Sequence, residues 1–393
     1  MQQINKHFSL RLIVYFFIPI LILSLLFSNV PSSAVEITDI EFIGEATIPT
    51  GTTLKNTAVG GLSGIAYDDI GQIYYAISDD RSEKAPARLT TLKIDLSQEV
   101  LKESGAAPVG VTFLLDKDNQ NFARGTIDPE GIALTGRGTA FISSEGDAGK
   151  LINPFVKEFS LASGQEIVSL PIPDRFLPSS GGDRGIRNNL AFESLTITPD
   201  KKRLFTATEN ALIQDGSEAK SGISTNCRIL EYNLSNNQLE KEYLYQTEAI
   251  KPLINLTGRY AQGLTDLLAI DNQGHFLSIE RAFTGLGFAV SLFQVSLEGA
   301  TNIHDTDSLL SLETNKVTPV RKKLLLDLRK LDVLLDNIEG LTFGQPLSNG
   351  QPTLILVSDN NFQKIQRTQF LAFKLKTKSP SLLQQLLRGI TPR

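Results

Sequence analysis

The chain has 393 residues, a formal net charge of −5 and a hydrophobic fraction of 41%, which is enough for one large domain with its own core. This moderate acidity gives no general attraction to phosphate backbones or anionic membranes, so nucleic acid is disfavoured as a partner. A single cysteine, Cys227, excludes an internal disulfide. Without a disulfide, the stability of the fold must come from its core, from bound ions, or from both.

The first 34 residues have the pattern of an export signal. Lys6 and Arg11 precede an apolar run from Leu12 to Phe27, and Ser32-Ser33-Ala34 offers a small-x-small cleavage site. The run is about 16 residues long, whereas a spanning helix needs about 20. We therefore predict a signal peptide over 1–34 and a periplasmic or extracellular protein. An uncleaved anchor is the alternative, and only that form would contact a membrane.

Beyond the signal, a two-stranded unit recurs along the chain. In its clearest copy, the run Glu193–Ile197 turns at Pro199-Asp200 and returns through 204–208 to Glu209, as expected of a β-hairpin. A third strand of alternating character follows each copy. The opening positions of the five copies are separated by 67, 63, 73 and 73 residues, and are Ser63, Glu130, Glu193, Asp266 and Glu339.

These repeats predict an all-β fold, a single β-propeller with five four-stranded blades over residues 35–376. The fifth unit has no fourth strand after Leu375, and Ile40–Ile48 could supply one and close the ring. Five blades would average about 72 residues each, whereas propeller blades usually have ~40–50 residues. The chain is therefore long enough to contain a sixth blade. The tail 377–393 has leucines at helical spacing, which predicts a short helix.

Acidic residues concentrate where the ends of the hairpins converge. The first strand of each propeller blade lines the central channel, so the same end of every blade faces one mouth. So many carboxylates cannot be ionised together there without a cation or large pKa shifts. Oxygen ligands without Cys or clustered His favour Ca²⁺, ahead of Mg²⁺ or Mn²⁺. The predicted metal ligands are Glu130, Glu193, Glu339, Asp79, Asp266 and Asp359.

Other roles are open for these residues. Strand-end acids also serve as ordinary turn formers and solvated charges. Arginines from nearby loops could neutralise them as structural ion pairs, or could bind an anionic substrate. In a hydrolase, Glu209 or Glu145 would be the general base, and Arg81 or Arg281 would hold an oxyanion.

Nucleophilic and dinucleotide-dependent chemistry has little support in the sequence. GxSxG, Rossmann and P-loop patterns are absent. Cys227 has no neighbouring His and is interpreted as a small apolar strand residue. His275 and His304, the histidines beyond the signal, lie in polar turns and are predicted to be solvated.

An ordered set of motifs extends from about Ile37 to Leu375. It includes Asp128-Pro129-Glu130-Gly131, Ala207-Thr208-Glu209-Asn210, Gly263-Leu264-Thr265-Asp266, Asn337-Ile338-Glu339-Gly340 and Val357-Ser358-Asp359-Asn360. In these motifs the sequence resembles the phytase-like family, also labelled "esterase-like activity of phytase". The resemblance implies an exported β-propeller related to phytase-type phosphoesterases.

We therefore expect a metal-dependent hydrolase of phosphate or carboxylic esters, acting on a small-molecule ester. A non-catalytic extracytoplasmic binding propeller, in which calcium only fixes the loops, is the first alternative. A lactonase-like hydrolase is the second, by analogy with propellers that hold a metal on strand-start carboxylates. The sequence does not define the oligomeric state.

Overall fold

A computed structural model describes residues 35–250, 258–285, 287–311 and 316–378. The predicted signal peptide and almost all of the predicted tail helix lie outside the described residues. Residues Val35–Lys378 form one compact unit. In this described part, helical structure is limited to single 3₁₀ turns, and no helix is long and apolar enough to cross a membrane. The 3₁₀ turns are Ala148–Lys150, Asp174–Phe176, Ile213–Asp215, Leu309–Ser311 and Leu328–Lys330.

The described chain begins with β1 (Ile37–Ile48), followed by a small hairpin of β2 (Thr53–Leu54) and β3 (Thr57–Ala58). Four consecutive antiparallel sheets follow, each with its strands in chain order from the channel outward. Blade 1 contains β4 (Leu62–Asp68), β5 (Ile73–Ser78), β6 (Arg88–Ile94) and β7 (Ala106–Phe113); blade 2 contains β8 (Pro129–Leu134), β9 (Thr139–Ser144), β10 (Phe155–Ser160) and β11 (Glu166–Ser169). Blade 3 contains β12 (Phe192–Ile197), β13 (Arg203–Thr208), β14 (Asn226–Asn233) and β15 (Gln238–Gln246); blade 4 contains β16 (Ala261–Ala269), β17 (His275–Phe283), β18 (Phe288–Ser296) and β19 (Arg321–Asp327).

Blade 5 joins the two ends of the domain. Its inner strands are β20 (Ile338–Gly344), β21 (Thr353–Ser358) and β22 (Thr368–Thr377), and β1 is its outermost strand. β1 pairs antiparallel with β22, from Ile48 opposite Thr368 to Ile40 opposite Leu375. The prediction that the N-terminal strand closes the ring is therefore confirmed, as is the five-bladed propeller. Closure also covers an edge of β22 that would otherwise be open to pairing with other chains.

The core lies between the blades. Five apolar clusters hold the sheets together, and at the junction of blades 3 and 4 the rings of Phe205 and Phe276 pack with centroids 4.8 Å apart. Every residue of the innermost strand β12 is buried. Cys227 lies in this interior as well, where burial raises the pKa of its thiol. An uncharged, buried thiol is the small core residue that the sequence predicts.

Candidate functional site

Each innermost strand contains a β-bulge near its start, at the same end of every blade. The ladders shift register between Leu62 and Gly64, and the other four inner strands show the same irregularity. A bulge inserts one residue and re-aims its side chain. We call the inserted residues the bulge ring: Ser63, Glu130, Glu193, Thr265 and Glu339.

A second ring surrounds the first. The backbone N–H of Asp79 donates to the carbonyl of Gly61, two residues before the bulge. Glu145, Glu209 and Asp359 make the equivalent bond in blades 2, 3 and 5, and Arg281 pairs with the equivalent residue, Gly263, in blade 4. We call these residues the end ring: Asp79, Glu145, Glu209, Arg281 and Asp359. The two rings form the mouth of the channel.

Nine of the ten predicted site residues meet at this mouth, counting Arg81 from the loop after Asp79. The exception is Asp266, which follows the position equivalent to Glu130, Glu193 and Glu339 by one residue. The structure places Thr265 in the blade 4 bulge and Asp266 one step deeper in the channel. The repeat pattern likewise places Glu280 at the end of the second strand of blade 4, but its side chain faces away from the mouth and accepts hydrogen bonds from Tyr245 and Lys322.

Burial sets the protonation of the mouth. It raises the pKa of eight carboxyl groups there, and repulsion between neighbouring carboxylates raises the pKa of most of them further. For Glu209, burial raises the pKa to about 7, even though Arg281 opposes the shift. Bound cations or bound protons must therefore offset the negative charge. The eight groups are Asp79, Asp128, Glu130, Glu145, Glu193, Glu209, Glu339 and Asp359.

One half of the mouth has the donor set of a divalent cation site. Asp79, Asp128 and Glu130 each contribute a carboxylate oxygen, and these oxygens lie within 4.8 Å of one another. Asp128 Oδ1 and Glu145 Oε2 are buried and have no hydrogen-bond partner among the described residues. Unpartnered anionic oxygens are costly inside a protein. The residues present therefore fit a hard, oxygen-liganded cation such as Ca²⁺.

The other half of the mouth contains a guanidinium group. Arg281 occupies the end-ring position that holds an acid in the other four blades. Its Nη2 lies 2.8 Å from Glu339 Oε1 and 3.4 Å from Glu209 Oε1. Its Nε is buried and has no partner within the described part of the chain. Blade 4 thus supplies a positive charge and an unused donor where its sister blades supply carboxylates.

Arg81 connects blades 1 and 2 at the rim. Its Nη2 lies 2.5 Å from Asp128 Oδ2 and donates to Asn189 Oδ1 at 2.7 Å. The loop that presents Arg81 is held by Asp80, which accepts backbone hydrogen bonds from residues 83–85 and pairs at 2.7 Å with the fully buried Arg88. Arg81 is therefore held in place and oriented toward the acids of blade 2.

Sequence reasoning missed two members of the mouth. Asp128 appears in the Asp128-Pro129-Glu130-Gly131 motif but was not among the predicted ligands. The feature of the sequence that could have identified Asp128 is its position two residues before the bulge residue Glu130. Thr265, the bulge residue of blade 4, was missed because Asp266 beside it is an acid; its hydroxyl is buried without a partner among the described residues.

A small polar pocket opens on the side of the mouth that contains Asp79, Asp128 and Glu130. Its volume is about 240 Å³, which is enough for a compact polar group. It gives solvent and small solutes a place next to Asp79 and Arg81. The pocket is also lined by Asp80, Glu83, Lys84, Asn361, Phe362 and Gln363.

Neither His275 nor His304, the two histidines in the part of the chain that the structure describes, belongs to the mouth. His275 is the first residue of β17, its Nδ1 is 2.7 Å from Asp271 Oδ2, and its side chain is only 13% exposed. The prediction of a solvated His275 is therefore wrong, because the nearby acid anchors the ring. His304 lies 3.7 Å from Glu242 in a separate cluster of buried charges with Arg175.

A curated relative, described as an uncharacterized secreted protein of Arthroderma benhamiae, is 28% identical over 133 residues, covering 28% of this chain and 24% of the relative. The chain thus matches about a quarter of that protein's length. Among solved structures, an endo-arabinase from Bacteroides thetaiotaomicron aligns with a TM-score of 0.41 at 11% identity, covering 85% of this chain and 98% of the other. Hydrazine synthase of Kuenenia stuttgartiensis aligns with a TM-score of 0.30 at 13% identity, covering 81% and 82%.

The family comparison covers far more of the chain. The model of the phytase-like family, described as esterase-like activity of phytase, matches residues 57–362. The match extends from the small hairpin before blade 1 to the loop after β21, and so includes both rings of the mouth. The chain belongs to the phytase-like family of β-propellers.

Proposed function

We propose that this protein is an exported, divalent-cation-dependent hydrolase of phosphate esters or carboxylic esters. The observation that supports this most directly is the group of Asp79, Asp128 and Glu130, whose oxygens converge beside a buried, unpartnered oxygen of Glu145. The family description names an esterase-like activity, and the curated relative is described as secreted. A periplasmic or extracellular location would also provide Ca²⁺ at useful concentrations.

Asp79, Asp128 and Glu130 would hold the cation, with Ca²⁺ preferred and Mg²⁺ or Mn²⁺ as alternatives. A bound cation supplies a Lewis acid for the scissile group and lowers the pKa of a bound water. Glu193, Glu339 and Asp359 complete the acidic wall around the ligand set. The ion pair with Arg81 keeps the Asp128 carboxylate oriented toward the other two ligands, Asp79 and Glu130.

Glu209 is the best candidate for the general base. Its pKa of about 7 allows it to exchange a proton near neutral pH, which is where a base is most effective. Glu145 is the alternative base, because one of its oxygens is unpartnered. Arg281 would hold the developing negative charge of the ester through its free Nε.

The test is hydrolysis by protein purified after expression of the full chain. A chromogenic phosphomonoester, a short-chain carboxylic ester and a lactone are each assayed with Ca²⁺ and again with chelator. Chelator-sensitive turnover of one substrate would establish the bond class. Turnover that persists in chelator would contradict a cation-dependent reaction.

Two variants sharpen the assay. Glu130→Gln removes a ligand charge and should abolish most cation-dependent turnover. Glu158→Gln is the matched control, because Glu158 lies on the third strand of the same blade and accepts a hydrogen bond from Thr139 on the second strand, away from the mouth. Full activity of E130Q with unchanged cation affinity would rule out the ligand role.

The second candidate is a non-catalytic binding propeller. It is favoured by the ion pairs of Arg281 with Glu209 and Glu339, which already neutralise part of the mouth without a substrate. Ca²⁺ would then only stiffen the loops around a bound partner. A Ca²⁺-dependent rise in Tm with no turnover of any ester would support this candidate over the hydrolase.

A further inference from the structure

The residues that directly follow the bulge ring form a level that we call the neck of the channel. The residue after the bulge is glycine in three blades and serine in blade 3, but aspartate in blade 4. Pairing to the second strand places these residues at one level: Gly64 opposite Ile77, for example, and Asp266 opposite Ile279. The neck residues are Gly64, Gly131, Ser194, Asp266 and Gly340.

The glycines exist because neighbouring inner strands touch. A Cβ on Gly64 would lie 2.5 Å from the carbonyl oxygen of Glu130, and one on Gly131 would lie 2.7 Å from Leu195 Cβ. A Cβ on Gly340 would lie 2.7 Å from the carbonyl oxygen of Ser63. A side chain at any of these three positions would therefore collide with the next blade, so glycine is required there.

At the junction of blades 4 and 5 the strands are joined by a side chain instead. Asp266 is 5% exposed. Its Oδ1 accepts from the backbone N–H of Leu267 and its Oδ2 from that of Leu341, both at 2.8 Å. The backbone N–H of Leu195 in blade 3 also stabilises its charge, and together these amides oppose the rise in pKa that burial causes. The Asp266 carboxyl group thus joins the backbones of blades 4 and 5.

The three amides that lower the pKa of Asp266 have a common position. Leu195, Leu267 and Leu341 each lie two residues after a bulge residue. Those bulge residues are Glu193, Thr265 and Glu339. Asp266 therefore holds the backbone directly beneath Glu193 and Glu339, on the side of the mouth that contains Arg281.

We propose that Asp266 is a positioning residue, which fixes the bulges that present Glu193 and Glu339 and closes the channel behind them, and that it is not a cation ligand. Both of its oxygens are committed to backbone donors. The inference rests on the proposed function only in treating the mouth as the working site. Its direct consequence, slow opening of three backbone amides, is independent of any activity.

The first experiment needs no variant. Hydrogen exchange of the wild-type protein, read by mass spectrometry with fragmentation to single residues, should show the amides of Leu195, Leu267 and Leu341 among the slowest of their strands. Rapid exchange of Leu195 and Leu341 would overturn the inference. This measurement remains decisive even if a variant fails to fold.

The second experiment compares Asp266→Asn with Asp271→Asn. Both acids lie in the first hairpin of blade 4, but Asp271 accepts bonds from Gln273 and His275 at the opposite end of the sheet. The amide of D266N has one acceptor oxygen where the carboxylate has two, so exchange of Phe192–Ile197 and Ile338–Gly344 should accelerate about tenfold or more. D271N should lower Tm without this local change.

Binding of Tb³⁺, followed by its luminescence, reports whether the mouth itself has moved. D266N should weaken Tb³⁺ binding about tenfold, and D271N should leave it unchanged. A D266N protein that matches D271N in exchange and Tb³⁺ affinity would refute the inference. A wild-type protein that binds Tb³⁺ but hydrolyses no ester would refute the proposed function alone.

Discussion

Replacement of Arg281 by glutamine tests whether this residue is the internal counter-ion of the mouth. Its side chain is 11% exposed, and its partners Glu209 and Glu339 are 3% and 9% exposed. Removing one partner of a buried ion pair costs about 3–5 kcal/mol, because a charge is left uncompensated. R281Q should therefore lower the free energy of unfolding by about this amount in chelator at neutral pH.

The expected shift in Tm follows from the size of the domain. Unfolding entropy of ~2.1 cal/mol/K per residue gives roughly 0.7 kcal/mol/K for this propeller, so Tm should fall by about 4–7 °C. Saturating Ca²⁺ should restore much of the loss, because a mouth without Arg281 is more negative and binds a cation more tightly. The assay is thermal unfolding by circular dichroism, with Ca²⁺ and with chelator.

Arg203→Gln is the control for this prediction. Arg203 forms a partly exposed ion pair with Glu231, 3.1 Å away, near the opposite end of blade 3. R203Q should give a smaller loss of Tm, which Ca²⁺ does not restore beyond its effect on the wild type. An R281Q protein whose loss of Tm is equal with and without Ca²⁺ would refute the counter-ion role.

Three further predictions concern the mouth and the ring closure. Asp128→Asn should weaken Ca²⁺ binding about tenfold in isothermal titration calorimetry, because a charged ligand becomes neutral; unchanged affinity would place the cation elsewhere. In chelator, stability should be highest below the usual carboxyl pKa and should fall as pH rises through the pKa of Glu209 near 7, since a raised folded-state pKa favours the protonated fold; a flat Tm from pH 5 to 8 would contradict this. Deleting 35–48 exposes the edge of β22 and should give aggregated protein in size-exclusion chromatography; a stable monomer would show that β1 is dispensable.

The sequence by itself determined the five repeated units, most of the hairpin ends and the closing strand, although the repeat length left room for a sixth blade. These features are local: alternating apolar residues, turn formers and a constant spacing recur in each unit without reference to its neighbours. For the same reason, the positions of Glu130, Glu193 and Glu339 could be predicted from their place before a repeated strand. Ile40–Ile48 could be assigned to the ring because only blade 5 lacked a fourth strand.

Only the tertiary structure decided which side chains reach the mouth in blade 4. The pattern Thr265-Asp266 was aligned by residue type, but the bulge falls on Thr265, so Asp266 moves to the neck and Arg281 replaces Glu280 in the end ring. A one-residue shift reverses the face of every side chain in a strand, and the position of the bulge depends on pairing with the second strand. Asp128 joined the site for a related reason: Arg81 reaches it from the neighbouring blade, a contact that no spacing within one repeat specifies.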